Sequence, residues 1–141
     1  MQVKVYHTLP DAAREIRRKV FTEEQGFQNE FDPIDKVAAH LVLLGDEPVG
    51  TCRVFFDEER NCYILGRLAV LKAYRGQGIG RILVSHAQAY ARELGGKVLR
   101  LHAQCRITPF YEKLGFSPFG EIDYEEDCPH IWMEKKLFHI W

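Results

Sequence analysis

Apolar and polar positions change period several times along the chain, and each change marks an element. "VKVY" (3–6) alternates and predicts a short strand. "TLPDAAREIRRKVFTEEQG" (8–26) then carries Ala13, Ile16, Val20 and Phe21 at roughly helical spacing. Thr8 and Asp11 read as a capping box for that helix, and Gly26 as its stop. "FQNEFDPID" (27–35) is acidic and contains a proline, so it predicts a loop. "AAHLVLL" (38–44) and "PVGTCRVFF" (48–56) read as strands joined across "GDE", and "RN" at 60–61 turns the chain into a third strand, "CYILGRLAVL" (62–71). After three alternating glycines, Ile79, Ile82, Leu83, Ala87, Tyr90 and Leu94 form one stripe of a helix that Gly95 and Gly96 end. "KVLRLHA" (97–103) is a strand again. "TPFYEKLGF" is a two-turn helix with Thr108 as N-cap, Pro109 at its first position and Gly115 past its end. "FSPFGEI" and "HIWMEKKL" close the pattern as strands.

The order β-α-β-β-β-α-β-α-β-β consists of hairpins around one central strand–helix–strand crossover. It predicts an α/β (α+β) fold: a mixed, mostly antiparallel sheet of six to seven strands, helices on its faces, and one parallel pair at the crossover. At 141 residues, with no repeat, low-complexity tract or linker, the chain reads as a single domain over 1–141.

Composition narrows the function classes. With 46% hydrophobic and 28% charged residues the chain has material for a real core. A formal charge of −1 gives no electrostatic case for nucleic acid or an anionic membrane as partner. No apolar run approaches the ~18 residues of a membrane span, and the N-terminus is unlike a signal peptide, so the cytoplasm is the expected location. Cys52, Cys62, Cys105 and Cys128 show no C-x-x-C pairing and read as reduced thiols. The six histidines lack metal-ligand spacing, so no metal is expected.

The candidate chemistry starts at "YRGQGIG" (74–80). A dinucleotide fingerprint from Gly76 would need glycine where Arg81 stands, and no Lys-Ser or Lys-Thr follows Gly80 as a Walker loop requires. What remains is a strand, a glycine loop and a helix N-terminus, whose free N–H groups and dipole suit a pyrophosphate. A plain turn of small residues is the alternative.

"LAVLKAYRGQGIGRILV" resembles the signature of the GNAT superfamily of N-acetyltransferases, [RQ]-x-x-G-x-[GA] after a strand, met here by Arg75, Gly78 and Gly80. "FYEKLGF" is similar to that superfamily's last catalytic-domain helix. "RRKVFTEEQGFQNEFDPID", "AAHLV", "HAQ" and "PHIWMEKKL" are similar to its small bacterial ElaA/YjcF branch, so the likeness spans nearly the whole chain. The resemblance implies the GNAT fold, with the parallel pair splayed. It also implies acetyl-CoA as co-substrate, with no metal, and direct acetyl transfer to a primary amine, either a small molecule or a protein lysine or N-terminus. The backbone of Arg75, Gly76, Gln77, Gly78, Ile79 and Gly80 would hold the pyrophosphate. A backbone N–H within Leu68, Ala69 and Val70 would face the thioester carbonyl, and Gln104 would touch the pantetheine arm. Tyr111 would give a proton to the leaving thiolate; its alternative is a ring packed in the core.

Two points are left open by the resemblance. Superfamily members often carry a glutamate on the strand before the loop, where this chain has Gly66 and Arg67, so no base is assigned among Glu24, Glu30, Asp32, Asp35, His40, His102 and Glu121. Loss of that glutamate also admits a catalytically degenerate CoA-binding sensor or interaction module. Glu24, Gln25, Glu30 and His40 are the candidate acceptor contacts, because the acidic stretch would favour a cationic amine or else be a solvated loop. Dimers are common in the superfamily, so a homodimer stays open.

Overall fold

The computed structural model describes residues 1–137. Strand-forming stretches give a seven-stranded sheet in the order β1-β2-β3-β4-β5-β7-β6. Its strands are β1 (Gln2–Tyr6), β2 (Ala39–Leu44), β3 (Pro48–Asp57), β4 (Cys62–Val70), β5 (Val98–Gln104), β6 (Ser117–Glu125) and β7 (Cys128–Lys136). Neighbours are antiparallel except β4 and β5, the parallel pair expected at the crossover. Along β2 and most of β3 successive residues are buried rather than alternate ones, as in strands covered on both faces. Helix α2 (Ile79–Glu93) supplies much of that cover. It lies so close to β3 that a Cβ on Gly50 would come within 2.9 Å of both Ile79 and Leu83.

The helix expected over 8–26 is two segments. Helix α1 (Asp11–Arg17) is followed by a π-helical segment, Arg18–Glu24. The capping box at Thr8 does not form; Pro10, extended and with no N–H, is the N-cap residue. The wider turn shows in the bond from the Gln25 N–H to the Val20 carbonyl, 3.1 Å. Widening lets the adjacent Val20 and Phe21 both pack with Ile16 and Ala69, side chains that a 3.6-residue period would aim about 100° apart. Thr108 is likewise not a cap: it opens helix α3 (Thr108–Lys113), and its hydroxyl donates back to the Cys105 carbonyl at 3.0 Å. The last strands run further toward one another than the two expected stretches, with Glu126 and Asp127 turning at positive φ between them.

The largest departure is the acidic stretch 27–35, which is not a solvated loop. Glu30 and Asp35 are buried, and Arg17, 1% exposed, lies between them. Its guanidinium donates to Glu30 Oε2 at 2.8 Å and to Asp35 Oδ1 at 2.7 Å. Arg53 donates to Asp32 at 2.7 Å and Asp35 at 2.9 Å, and Arg67 reaches Asp32 at 3.3 Å. Asp32 also caps a short 3-10 turn, Pro33–Lys36, accepting from the Ile34 N–H at 3.1 Å. Charges in the sequence thus became a buried network, with each carboxylate matched to a guanidinium.

That network has a pH signature. Burial raises the Asp35 carboxyl, but the bonds and charges of Arg17 and Arg53 outweigh it and bring it from 3.8 down to about 2. A folded-state pKa below the unfolded one stabilises at higher pH, and the gain disappears as pH falls through the folded value. Asp35 should therefore contribute about 2 kcal/mol above roughly pH 4 and lose it as pH drops toward 2. Thermal melts of the wild type and Asp35→Asn across that window should converge at the acid end.

Candidate active site

The parallel pairing of β4 with β5 lasts three residues, Tyr63↔Leu99 to Leu65↔Leu101. Beyond it β4 runs on to Val70 and β5 to Gln104 with no ladder between them. On the other side, β4 carries a bulge against β3: Thr51 pairs with Ala69 and Arg53 with Gly66, so Arg67 and Leu68 together face Cys52. Arg67 absorbs the bend at φ 52, an uncommon conformation for a side-chain-bearing residue. A cleft of about 780 Å³ opens where the strands part, lined from Leu65 to Val70 on one side and Leu101 to Gln104 on the other.

The glycine loop closes one end of that cleft. Gly76 and Gly78 have φ +83 and +76, which only glycine adopts without strain, and no atom lies within 4 Å of where a Cβ on Gly76 would be. Gly78 is the N-cap of α2 and brings no side chain to the helix end, so the first-turn N–H groups face outward unpaired by a cap. Gly80 has a different reason to be glycine: a Cβ there would meet the Phe110 ring at 3.2 Å. The loop lining comprises Arg75, Gly76, Gly78, Ile79, Gly80 and Arg81; Gln77 is outside it.

Across the mouth, the π-helical segment is tied to both strand ends. Arg75 donates to Glu24 at 2.5 and 2.9 Å and to the Val70 carbonyl at 3.0 Å. Gln104 donates to Gln25 at 2.8 Å. Glu24, Gln25 and Glu30 therefore line the cleft, yet each is engaged: Glu24 by Arg75, whose bond lowers its pKa, and Glu30 by Arg17 and Arg67. His40 is elsewhere. It is 1% exposed on β2, its Nε2 is 2.9 Å from the Asp35 carbonyl, and it does not line the cleft. Of the other candidate bases, Asp32 and Asp35 belong to the arginine network and Glu121 is exposed on β6.

Tyr111 shares both of its expected placements. Its ring packs edge-on against Phe110 and Phe116, and the residue lines the cleft. Burial pushes its phenol well above the ordinary range, so it stays protonated at any physiological pH.

Sequence reasoning missed Glu125 and His130. With His102 they line the cleft from three different strands, β6, β7 and β5. A nitrogen or oxygen from each lies within 4.8 Å of the other two. The expectation of no metal-type cluster rested on spacing along the chain, whereas the register Asp123↔His130 and Gln104↔His130 assembles these residues across the sheet. His102 Nε2 is 2.6 Å from Asp123 Oδ1, and His130 Nε2 is 3.2 Å from Glu125 Oε2. The turn beside them is held in place, because Glu126 accepts from the Gln28 N–H at 3.0 Å and the Asn29 N–H at 3.1 Å.

This fold recurs in known proteins. The chain is 31% identical over 124 residues to the uncharacterized N-acetyltransferase YjcF of Bacillus subtilis, covering 85% of this chain and 87% of YjcF. It is 30% identical over 132 residues to the ElaA protein of Escherichia coli, covering 89% and 86%. The crystal structure of E. coli ElaA superposes with a TM-score of 0.83 at 28% identity over 95% of this chain and 98% of that one. An acyl-CoA N-acyltransferase from Pseudomonas aeruginosa also superposes with a TM-score of 0.83, at 27% identity and the same coverage. The model of the acetyltransferase (GNAT) family matches residues 5–116, and the chain belongs to that family.

Proposed function

We propose that the protein transfers an acetyl group directly from acetyl-CoA to a primary amine, with a small molecule or a protein lysine or N-terminus as acceptor. The observation that carries this reading is the cleft itself. It has an anion-accepting glycine loop at one end, an unladdered strand edge along its length, and proton-handling side chains lining it. The name of the P. aeruginosa neighbour supports an acyl-CoA donor. The four cysteines are free thiols, which supports a cytoplasmic setting, and no helix among the described residues is long and apolar enough to cross a membrane.

In this reading the N–H groups from Gly76 to Gly80 bind the pyrophosphate, with the α2 dipole behind them. Backbone N–H groups within Leu68, Ala69 and Val70 stabilise the negative charge that develops on the thioester oxygen. Gln104 offers donor and acceptor to the pantetheine arm. Tyr111 donates a hydrogen bond to the departing thiolate. Full proton transfer from so weak an acid to a sulfur of ordinary pKa about 8.5 is uphill, so the thiolate's proton comes from the nitrogen of the attacking amine, relayed through Tyr111 or water.

Replacing Tyr111 with phenylalanine should lower kcat about 10²-fold while CoA affinity holds, because only the transition-state contact is lost. Unchanged kcat would remove Tyr111 from the mechanism. The activity itself is tested by thiol release from acetyl-CoA with spermidine, 2-phenylethylamine, glucosamine and a lysine peptide. Acetylation of at least one is expected; CoA binding with no transfer to any amine would favour the binding-module alternative.

A further inference from the structure

We propose that His102, Glu125 and His130 form the seat in which the acceptor's ammonium group docks and gives up its proton; this rests on the amine-acetylation reading above. The support is a hydrogen-bond inventory. The Cys128 carbonyl, 2.9 Å from His130 Nδ1, can only accept, so Nδ1 carries the hydrogen. In the neutral ring, Nε2 then presents a lone pair to Glu125 Oε2, 3.2 Å away, which is also an acceptor. The same holds for His102. Its Nε2 hydrogen goes to Asp123 at 2.6 Å, which leaves the Nδ1 lone pair facing Glu125 Oε1 at 3.6 Å.

With both rings neutral, three acceptors from three strands therefore converge on one side of the cleft with no donor between them. An alkylammonium carries three N–H donors on one atom and needs acceptors about 2.8–3.0 Å away. The trio matches it in number and in sign. His130 is held from one side by the edge of Phe27, centroids 6.4 Å apart, and His102 stacks on Trp132 at 4.9 Å. The acceptors are thus fixed before the amine arrives.

The proton balance closes. R–NH3+ passes one proton to the trio, and the freed lone pair of R–NH2 attacks the thioester carbonyl carbon to form the C–N bond. The C–S bond breaks, the second nitrogen proton reaches the thiolate through Tyr111 or water, and the trio returns its proton to solvent. The products are the amide, CoA thiol and one proton.

The charged groups facing the trio set its pH dependence. They are Asp123 and Glu125 from β6, His130 from β7, and Arg67 from β4. Burial disfavours the His102 imidazolium, but the Glu125 and Asp123 carboxylates beside it outweigh that and raise its pKa. The Glu125 carboxyl is lowered, first by His102 beside it and further by the charges of His130 and Arg67. The acid limb of kcat/KM should therefore lie above the ordinary histidine value and move down in Glu125→Gln, whose amide no longer favours the imidazolium.

Three readouts test the proposal. Imidazole ¹H–¹⁵N spectra of the wild type above the acid limb should show Nε2–H on His102 and Nδ1–H on His130. Titration with 2-phenylethylammonium should shift both rings. Opposite tautomers, or rings that do not move, would overturn the seat even if no acceptor is acetylated. In kinetics, Glu125→Gln should lose about 10²-fold in kcat/KM with the best alkylamine of the panel. It should lose little with methoxyamine, which arrives largely neutral, and should keep its CoA affinity. Equal loss with both nucleophiles would overturn the proton role. So would alkylamine activity that a chelator removes and Zn²⁺ restores, since the trio would then be a metal site. Absence of any transfer by the wild type would instead count against the parent reading.

Discussion

Gly78→Glu is expected to abolish CoA binding while leaving the fold in place. Gly78 sits at φ +76 at the start of α2, where its missing side chain leaves the helix N–H groups open to the cleft. A side chain there would stand where we propose that the pyrophosphate binds, and a carboxylate would add repulsion. Losing two charge-assisted bonds, at about 1.5–3 kcal/mol each, weakens binding at least about 10²-fold. Strain from placing a side chain at positive φ is smaller, about 1–2 kcal/mol, so the domain should remain folded. Gly95→Glu is the control. Gly95 has φ +87 with nothing within 4 Å of a Cβ, but it lies past the other end of α2, away from the cleft. Calorimetric titration with CoA should show binding lost in the first variant and kept in the second. Undiminished affinity in Gly78→Glu would mean the loop is only a turn.

The second large effect is on stability. Arg17→Met removes a fully buried cation and leaves the Glu30 and Asp35 carboxylates without their shared partner. Removing one member of a buried ionic network costs about 3–5 kcal/mol, because the remaining desolvated carboxylates are under-compensated, with Asp35 left to Arg53 and Glu30 to Arg67. In a chain of this size that lowers Tm on the order of 10 °C. The stretch 27–35 supplies Phe27 and Glu30 to the cleft, so the variant should also acetylate more slowly at temperatures where it is still folded. Adding Glu30→Gln and Asp35→Asn should recover part of the loss. A single-variant loss below about 1 kcal/mol would show that solvent reaches the network.

These two predictions differ in how far the sequence alone supported them. The glycine loop was legible because its physics is local: strand, glycines and amphipathic helix are contiguous, and each residue's role follows from its neighbours. The sheet order was legible for a similar reason, since hairpins and a single crossover admit few topologies. The arginine network was not. Arg17, Arg53 and Arg67 lie on α1, β3 and β4, and only the folded sheet brings them to Glu30, Asp32 and Asp35. An acidic run with a proline reads as a solvated loop until those cations arrive. The π-helical segment was hidden too, because Val20 and Phe21 fit a helical period well enough until both must reach Ile16 and Ala69.

The acceptor side shows the same limit more sharply. His102, Glu125 and His130 have no motif spacing, and two of them were passed over as candidates. A signal was present in "YEEDCPHIW": a turn between two predicted strands sets Glu125 opposite Cys128, and His130, two residues on, shares that face, so the two could have been brought together in advance. The missing glutamate at Gly66 drew attention to β4, whereas the proton-handling groups stand across the cleft on β5, β6 and β7.

Direct acetyl transfer to an amine is tested most plainly by mass spectrometry of a reaction quenched during turnover, reading small molecules and intact protein together. With acetyl-CoA and a panel amine, the amine should gain one acetyl group in step with CoA thiol release, and the protein mass should stay unchanged. An acetylated protein preceding product would contradict direct transfer, and CoA bound with no acetylated amine from any acceptor would contradict the enzymatic reading.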